Sequence, residues 1–380
     1  MLKSYFVKIV SSILIISGLS AVSFFGYEQY KIYDFQKRYK EAPVGSVIQT
    51  GNMKLPRSGH KGIRLPNENI LIIGGNKGAE IYNIKTGQFS FVDKNLEILN
   101  FDKERINSLT LDNGNILIAG KYIFDIKKNK FIKIKNYDNL INFIPTLKGM
   151  SVALSRAFKY KNNEVLIYYK IYPEKGILYK YDVTENLLVP TNVEIPSYFY
   201  SLNSRIIQKD DKYIVFNVEQ DQIINMYIWD IKQWKEIENI RTNFSPSILY
   251  SLDFAENNLI IGLNKQNEVV SLDLLSKSKM NYQKFNYCQS SKKIVIPTNN
   301  YCLCISKFDN IYNLIEVKSL INKQNIMEKK ITDITTSYVS IPFLFFLLND
   351  NDILITGGQY ANFNIPKGST NKSYIYKIRE

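Results

Sequence analysis

The chain has 380 residues, of which 45% are hydrophobic and 13% aromatic, and this composition favours a large folded core over disorder. Its formal net charge is +14, and 41 of the 49 basic residues are lysine. A lysine-rich solvated surface accounts for that charge as readily as an anionic partner does. The chain has one histidine, His60, and three cysteines. A His-based metal site, a Ser-His-Asp triad or a Cys-His pair would have to be built around His60 alone, which argues strongly against each of them.

The N-terminal residues predict a membrane anchor. A short tail, 1–8, carries Lys3 and Lys8 and precedes an uncharged apolar segment, 9–27, that is about long enough to span a bilayer as a helix. The segment is longer than the usual core of a signal peptide, and no small-x-small cleavage site follows it, which favours an uncleaved anchor. Basic residues flank both sides, so we take the default orientation, a single pass with the large domain outside the cytoplasm. Residues 28–45 are polar and charged and are expected to form a stalk.

From residue 46 onward the sequence repeats a unit of roughly 45 residues. Each copy has a polar turn followed by a short apolar run, and the runs are 70–73, 116–119, 165–168, 213–216, 259–261, 301–305 and 353–355. A second marker, an aromatic residue or Leu before Asn or Asp, follows in five copies, at Asn83, Asp125, Asp182, Asp230 and Asp273. Apolar runs of this length between turn residues are typical of β-strands. Seven copies of about four strands each predict a β-propeller of seven blades, with six as the alternative.

The first unit, residues 53–91, closely resembles a kelch repeat. The resemblance rests on Arg57, the pair Gly59-His60, the doublet Gly74-Gly75 and the pair Thr86-Gly87. The last unit matches through Gly357-Gly358, whereas the units between 140 and 333 match mainly by position. The resemblance implies a kelch-like propeller over 46–380, with His60 in the blade framework. Copper oxidases built on such propellers use several His and Tyr ligands, and one histidine is too few for that activity.

The last unit predicts how the ring closes. It offers three strands, within 338–348, 353–356 and 373–378, and it lacks a fourth. Residues 47–50 stand just before the first full unit, so we expect them to pair with the last blade and remove two free sheet edges. The insert 359–372 is expected to stand off that blade and to serve in recognition.

Four of the eight arginines recur at similar places in successive units. Arg57, Arg105, Arg156 and Arg205 precede the polar turns by some 6–10 residues, in or near the predicted innermost strands. Two interpretations remain open. The four guanidinium groups either form a positive channel mouth for a carboxylate or sulfate ligand, or each pairs with an acid or carbonyl of a neighbouring blade.

The sequence shows no phosphate-binding loop, nucleophile elbow or metal-ligand cluster. It therefore favours a non-catalytic module at a membrane, which recognises a protein or an anionic glycan through its loops and uses no cofactor and no nucleic acid. The alternative is a sugar epimerase or mutarotase acting on acidic sugars, because some bacterial exported kelch-like propellers are similar. Such chemistry needs only a carboxylate, an Arg and a Tyr, so the sequence leaves the question of catalysis open.

Overall fold

The structure is a computed structural model. It describes residues 26–43, 46–93, 108–142, 154–160, 164–171, 175–191, 193, 195–200, 205–209, 211–219, 222–244, 253–255, 259–263, 269–273, 294–297, 301–308, 311–318, 326–330, 344–348, 352–357, 359–362 and 365–377. Helix α1 covers residues 26–41, and two short helices follow, α2 (Tyr137–Asn142) and α3 (Ser197–Tyr200). Everything else of regular structure in the described chain is β-strand.

The strands form a series of up-and-down antiparallel sheets, which we number I to VII. Strand β1 (Val47–Gln49) comes first and belongs to the last sheet. Sheet I contains β2 (Lys61–Arg64), β3 (Ile70–Ile73), β4 (Ala79–Asn83) and β5 (Gln88–Asp93). Sheet II contains β6 (Ser108–Thr110), β7 (Ile116–Ile118), β8 (Tyr122–Asp125) and β9 (Lys130–Lys133).

The middle sheets follow the same order. Sheet III contains β10 (Leu154–Lys159), β11 (Val165–Ile171), β12 (Lys175–Asp182) and β13 (Leu187–Pro190). Sheet IV contains β14 (Arg205–Lys209), β15 (Lys212–Glu219), β16 (Gln222–Asp230) and β17 (Lys235–Phe244). Three strands are described for sheet V, namely β18 (Asp253–Ala255), β19 (Leu259–Leu263) and β20 (Val269–Asp273). Sheet VI contains β21 (Ile294–Pro297), β22 (Tyr301–Phe308), β23 (Ile311–Lys318) and β24 (Ile326–Lys330).

Sheet VII joins the two ends of the domain. It contains β25 (Leu344–Leu348), β26 (Asp352–Thr356) and β29 (Ser373–Lys377), and β1 completes it in the order β1-β29-β26-β25. The register pairs Val47 with Tyr376 and Gln49 with Tyr374. The predicted closure is confirmed. A separate hairpin, β27 (Gln359–Asn362) and β28 (Ile365–Ser369), lies between β26 and β29 in sequence.

The apolar runs of the sequence are the second strands of the sheets, and sheet I shows why they are apolar throughout. All four residues of β3 are buried. Ile70 and Ile72 pack with residues of sheet VII, whereas Leu71 and Ile73 pack with residues of sheet II. A strand that is covered on both faces has no side exposed to solvent, so its sequence is a continuous hydrophobic run. Full burial of each such side chain contributes about 1.5–3 kcal/mol.

The same packing joins five of the sheets one to the next, in the order VII, I, II, III, IV. Separate clusters of buried side chains join sheet I to sheet II, sheet II to sheet III, and sheet III to sheet IV. A further cluster joins sheet I to sheet VII, through Ile70, Tyr82, Leu354 and Ile375 among others. The first strands of neighbouring sheets lie next to each other, as β2 does to β25 and β6 to β10. Four-stranded meanders packed face to face, with the first against the last, are the architecture of a β-propeller.

The recurring Asn or Asp has a structural role at the turn after the third strand. Its side-chain oxygen accepts hydrogen bonds from backbone N–H groups two or three residues later in the chain. The pairs are Asn83 with Lys85 and Thr86, Asp125 with Lys128, Asp182 with Thr184 and Glu185, and Asp230 with Gln233. In these four turns, the residue four positions after the Asn or Asp has a left-handed backbone, namely Gly87, Asn129, Asn186 and Trp234. This Asx-capped, four-residue turn explains why the marker is Asn or Asp.

Helix α1 packs on sheets I and VII. Phe35 is buried in the cluster between these sheets, and a methyl group at Gly87 would lie 2.7 Å from atoms of its ring. Tyr39 donates a hydrogen bond to the buried carboxylate of Asp352, and the Lys377 ammonium donates to the carbonyls of Tyr39 and Ala42. The polar segment after the predicted anchor is thus helical and docked.

The predicted membrane span 9–27 lies outside the described residues except for its last two. In the part of the chain that the structure does describe, no helix has the length and apolar character needed to cross a membrane.

Candidate recognition face

The antiparallel order of the strands gives each sheet two different ends. The turns between first and second strands and between third and fourth strands lie at one end, which we call the turn end. The loops between second and third strands, and the segments that enter the first strands, lie at the other, which we call the loop end. Helix α1 contacts Lys85 and Asp352 and so lies at the turn end. The segment 50–60, the β3–β4 loop and the hairpin β27–β28 lie at the loop end.

Arg57 organises the loop end of sheet I. Its side chain is fully buried, and its Nε–H donates to Glu80 Oε1 at 3.0 Å. Its other four N–H groups bind backbone carbonyls of the β3–β4 loop, those of Gly74, Asn76, Lys77 and Gly78, at 2.9–3.4 Å. A guanidinium has five N–H donors, and all five are used here. Arg57 therefore has no donor left for a ligand.

Glu80 is the centre of this polar cluster. It is fully buried at the start of β4 and also accepts the backbone N–H groups of Lys54, at 2.6 Å, and Leu55, at 3.2 Å. Burial lowers the pKa of Arg57 below its usual value, and the Glu80 carboxylate opposes that shift because it favours the charged guanidinium. The pair joins β4, the β3–β4 loop and the entry segment in one hydrogen-bonded unit.

His60 links sheet I to sheet VII. It is buried, and its Nε2 lies 2.6 Å from Thr356 Oγ1 at the end of β26. The next residue, Gly357, has a φ of 67°, and a methyl group there would lie 2.5 Å from the Arg57 carbonyl oxygen and 2.5 Å from His60 Cε1. Only glycine fits this conformation and this approach. The framework role predicted for His60 is confirmed by its burial and its partner.

The insert 359–372 is a hairpin that rises from this same junction. Its base is held by a bridge between Arg57 and Thr370 and by two hydrogen bonds between Met53 and Asn371, at 2.8 and 3.1 Å. The hairpin therefore projects from the loop end beside the Arg57 cluster. The sequence predicted a loop that stands off the last blade, and the structure gives that insert a β-hairpin form.

Three lysines at the loop end are exposed. Lys54 lies on the entry segment, Lys77 on the β3–β4 loop and Lys372 just before β29. The loops that carry them are the ones fixed by Arg57, Glu80 and the hairpin base. Because Glu80 beneath them is paired with Arg57, these ammonium groups give the junction of sheets I and VII a positive rim.

The other predicted arginines stand differently. Arg156 lies near the start of β10, and its Nη1 donates to the Phe199 carbonyl at 2.9 Å, which ties sheet III to α3. Arg205 is the first residue of β14 and pairs with Phe216; only its backbone is described. Arg105 lies outside the described residues. The structure therefore does not bring the four guanidinium groups into one described site. The Arg57 side chain pairs internally, but with an acid and carbonyls of its own sheet I and not of a neighbouring blade.

The described residues show no assembled metal site. In these segments, no group of three or more His, Cys, Asp or Glu side chains lies close enough together to hold a metal ion.

Glu80 and the lysine rim were not singled out by the sequence. Glu80 stands directly before the Ile-Tyr-Asn marker, at the first inward position after a glycine-rich loop, and a lone acid in an otherwise apolar strand is the signal that was available. Lysines are so frequent in this chain that those of the rim carry no signal of their own.

Comparison with known proteins gives a distant structural likeness only. No protein-family model and no curated protein matches the sequence. Among solved structures, the Dos1 propeller is 10% identical with a TM-score of 0.39, over 82% of this chain and 75% of that one. The Cps50 (Swd1) β-propeller domain of Myceliophteria thermophila is 10% identical with a TM-score of 0.46, over 88% and 100%.

A third structure is the extracellular domain of BT3049 from B. thetaiotaomicron. It is 10% identical with a TM-score of 0.48, over 88% of this chain but only 41% of that one, so the chain spans less than half of it. Two of the three structures are named as propellers.

Proposed function

We propose that this chain is a membrane-anchored, kelch-like propeller of seven blades that acts as a non-catalytic interaction module. It recognises a protein or an anionic glycan through the loop end of sheets I and VII. One observation carries the proposal: the hairpin β27–β28 and the three exposed lysines share one face, built on a buried and fully paired Arg57–Glu80 cluster. A rigid platform under a protruding element is a common design of recognition sites.

The charges at this face favour an anionic ligand. The Arg57 charge is used internally, whereas Lys54, Lys77 and Lys372 are exposed on three separate chain segments. A carboxylate, sulfate or acidic side chain placed between them would gain attraction without displacing an internal ion pair. The Arg57–Glu80 cluster holds the backbone at Lys54 and Lys77. The backbone at Lys372 is held by hydrogen bonds with Gly357 and Thr370, so binding requires little rearrangement.

The finer parts of the proposal have their own support. Seven sheets in the described residues fit seven blades, and the kelch-like features of residues 53–91 fall on the strands and loops of sheet I. The apolar segment 9–27 is followed directly by the charged residues of α1, which supports a single-pass anchor. The placement of the propeller outside the cytoplasm is the default orientation for a short N-terminal leader.

The test uses the full chain in lipid nanodiscs, probed with a glycan array and with crosslinking to proteins of the cell surface. The triple variant Lys54→Glu, Lys77→Glu and Lys372→Glu is expected to weaken binding at least about tenfold. A matched variant at the turn end, with Lys85, Lys127 and Lys212 each replaced by Glu, carries the same charge change and is expected to bind as the unaltered chain does.

The outcomes separate the proposal from its alternatives. Equal loss of binding in both triple variants would show a nonspecific charge effect and overturn the assigned face. Turnover of an acidic sugar, followed by NMR, would overturn the non-catalytic assignment in favour of the epimerase or mutarotase. Protease accessibility on intact cells tests the compartment, because an external propeller is cleaved without lysis.

A further inference from the structure

Exposed aromatic residues are concentrated on the first half of α1. Six large hydrophobic side chains are conspicuously exposed in the described residues, and three of them are Tyr27, Tyr30 and Tyr33, with 56%, 62% and 63% of their surface accessible. The other three are scattered over sheets III and IV. Single exposed apolar groups need no explanation, but three within seven residues of one helix do.

The tyrosines lie on the part of the helix that the propeller leaves free. At 3.6 residues per turn, Phe35, Tyr39 and Ala42 share one side, and these are the residues that pack against the sheets. Tyr30 and Tyr33 fall on the opposite side, and Tyr27 lies at its edge. The docked side fixes the rotation of α1, so the orientation of the tyrosines relative to the propeller is fixed as well.

The chemistry of the chain that precedes the three tyrosines indicates what lies against them. The uncharged segment 9–27 ends at Tyr27, and the first charged residues after it are Glu28 and Lys31. The headgroup layer beside a hydrocarbon core of ~30 Å is about 5–7 Å thick. From Tyr27 to Tyr33 a helix rises by about 9 Å, which is slightly more than this layer and fits it when the helix is tilted.

We infer that Tyr27, Tyr30 and Tyr33 lie in the lipid headgroup layer and hold the propeller against the membrane surface. This inference rests on the proposed anchoring by 9–27. Tyrosine prefers this layer because its ring is apolar and its hydroxyl can hydrogen-bond to water and headgroups. The Lys31 ammonium lies 4.2 Å from the Tyr27 ring centroid, and a neighbouring cation of this kind also suits a layer that carries phosphates.

The docking of α1 then fixes how the propeller stands on the membrane. Phe35, Tyr39 and Lys377 hold the helix at the turn end. The membrane therefore lies on the turn-end side, and the hairpin with the lysine rim faces away from it. A propeller on a flexible stalk would have no such preferred orientation.

The test places a benzoylphenylalanine photocrosslinker in the full chain in lipid nanodiscs, at position 30 or 33. The control position is 237, where Ile237 is 54% exposed on sheet IV. Lipid adducts, read by mass spectrometry, are expected severalfold more often at 30 and 33 than at 237. Extraction of the same samples with alkaline carbonate reports the anchoring independently.

Each result decides. Lipid adducts at 30 and 33 above the level at 237 support the inference. Adducts to a second copy of the chain, or no excess of lipid adducts in protein that carbonate leaves in the membrane, overturn it and leave the anchoring intact. Release of the chain by carbonate overturns the proposed anchoring itself.

Discussion

Replacing Arg57 by methionine removes the positive partner from the most buried polar cluster of the described chain. Methionine is also long and unbranched, so the change removes donors more than volume. It leaves the Glu80 carboxylate buried with only the backbone N–H groups of Lys54 and Leu55, and it leaves four loop carbonyls without their donor. The perturbation is therefore an uncompensated charge in a site with no solvent access.

The size of the effect follows from that geometry. Removing one partner of a buried ion pair costs about 3–5 kcal/mol, so we take about 4 kcal/mol for Arg57→Met. A propeller of this length has an unfolding entropy of about 0.7 kcal/mol/K, which converts the loss to a Tm decrease of about 6 °C. The double variant Arg57→Met, Glu80→Met removes both charges and is expected to be more stable than Arg57→Met alone.

The assay is thermal unfolding of the full chain in mild detergent, followed by near-ultraviolet circular dichroism. The matched control is Arg64→Met, since Arg64 pairs with Glu68 at 2.7 Å but 34% of the Arg64 side chain and 56% of the Glu68 side chain are accessible to solvent. A surface pair is worth at most about 1 kcal/mol, so its Tm should fall by about 1 °C. An Arg57→Met protein as stable as the Arg64→Met protein, or a double variant less stable than the single one, would refute the reasoning.

Three further outcomes are expected. Phe35→Ala should destabilise the protein by about 3–5 kcal/mol, because it leaves a cavity between α1 and the sheets. Tyr33→Ala, on the exposed side of α1, should change the stability by less than about 0.5 kcal/mol. Urea unfolding measures both. Gly357→Ala should lower the free energy of unfolding more than Gly114→Ala in the same assay. Both glycines have a positive φ, but only at Gly357 would a methyl group meet atoms of other residues. Equal losses would contradict this. Burial raises the pKa of Tyr137 to about 12. The stability that this neutral tyrosine contributes below pH 10 should therefore be lost as the pH rises toward 12. Absorbance at 295 nm should show tyrosine ionisation at a higher pH in the folded protein than in the urea-unfolded chain.

The strands were predictable because the ring buries them in a regular way. Each apolar run found in the sequence overlaps the second strand of a sheet, even in sheets IV to VI, where the kelch resemblance is weak. In sheets I to IV and VII, where the structure describes the side chains, the second strands are buried, and burial requires apolar residues however the loops differ. The pairing of β1 with β29 was predictable for a related reason, since a last blade with only three strands lacks a fourth and leaves one sheet edge unpaired.

The polar cluster was not predictable to the same extent. Arg57 finds its partners 17–23 residues away, and four of them are backbone carbonyls, which no side-chain pattern reports. Arg57 and Arg156 occupy similar places in their repeats, but they have different roles, because Arg156 binds a carbonyl of α3. The docking of α1 did leave a signal, the spacing of Phe35, Tyr39 and Ala42 on one side of a charged helix.

The closure of the ring has a consequence for biosynthesis. Val47 is made early, and its partner Tyr376 is made more than three hundred residues later. At 5–20 residues per second this interval is on the order of 20–60 s. During that time β1 has no strand to pair with and sheet I has no last sheet to cover Ile70 and Ile72. The propeller can acquire its sheets one after another as the chain emerges, but its ring closes only after β29 has been added, so a loss of β29 would leave both ends of the ring open.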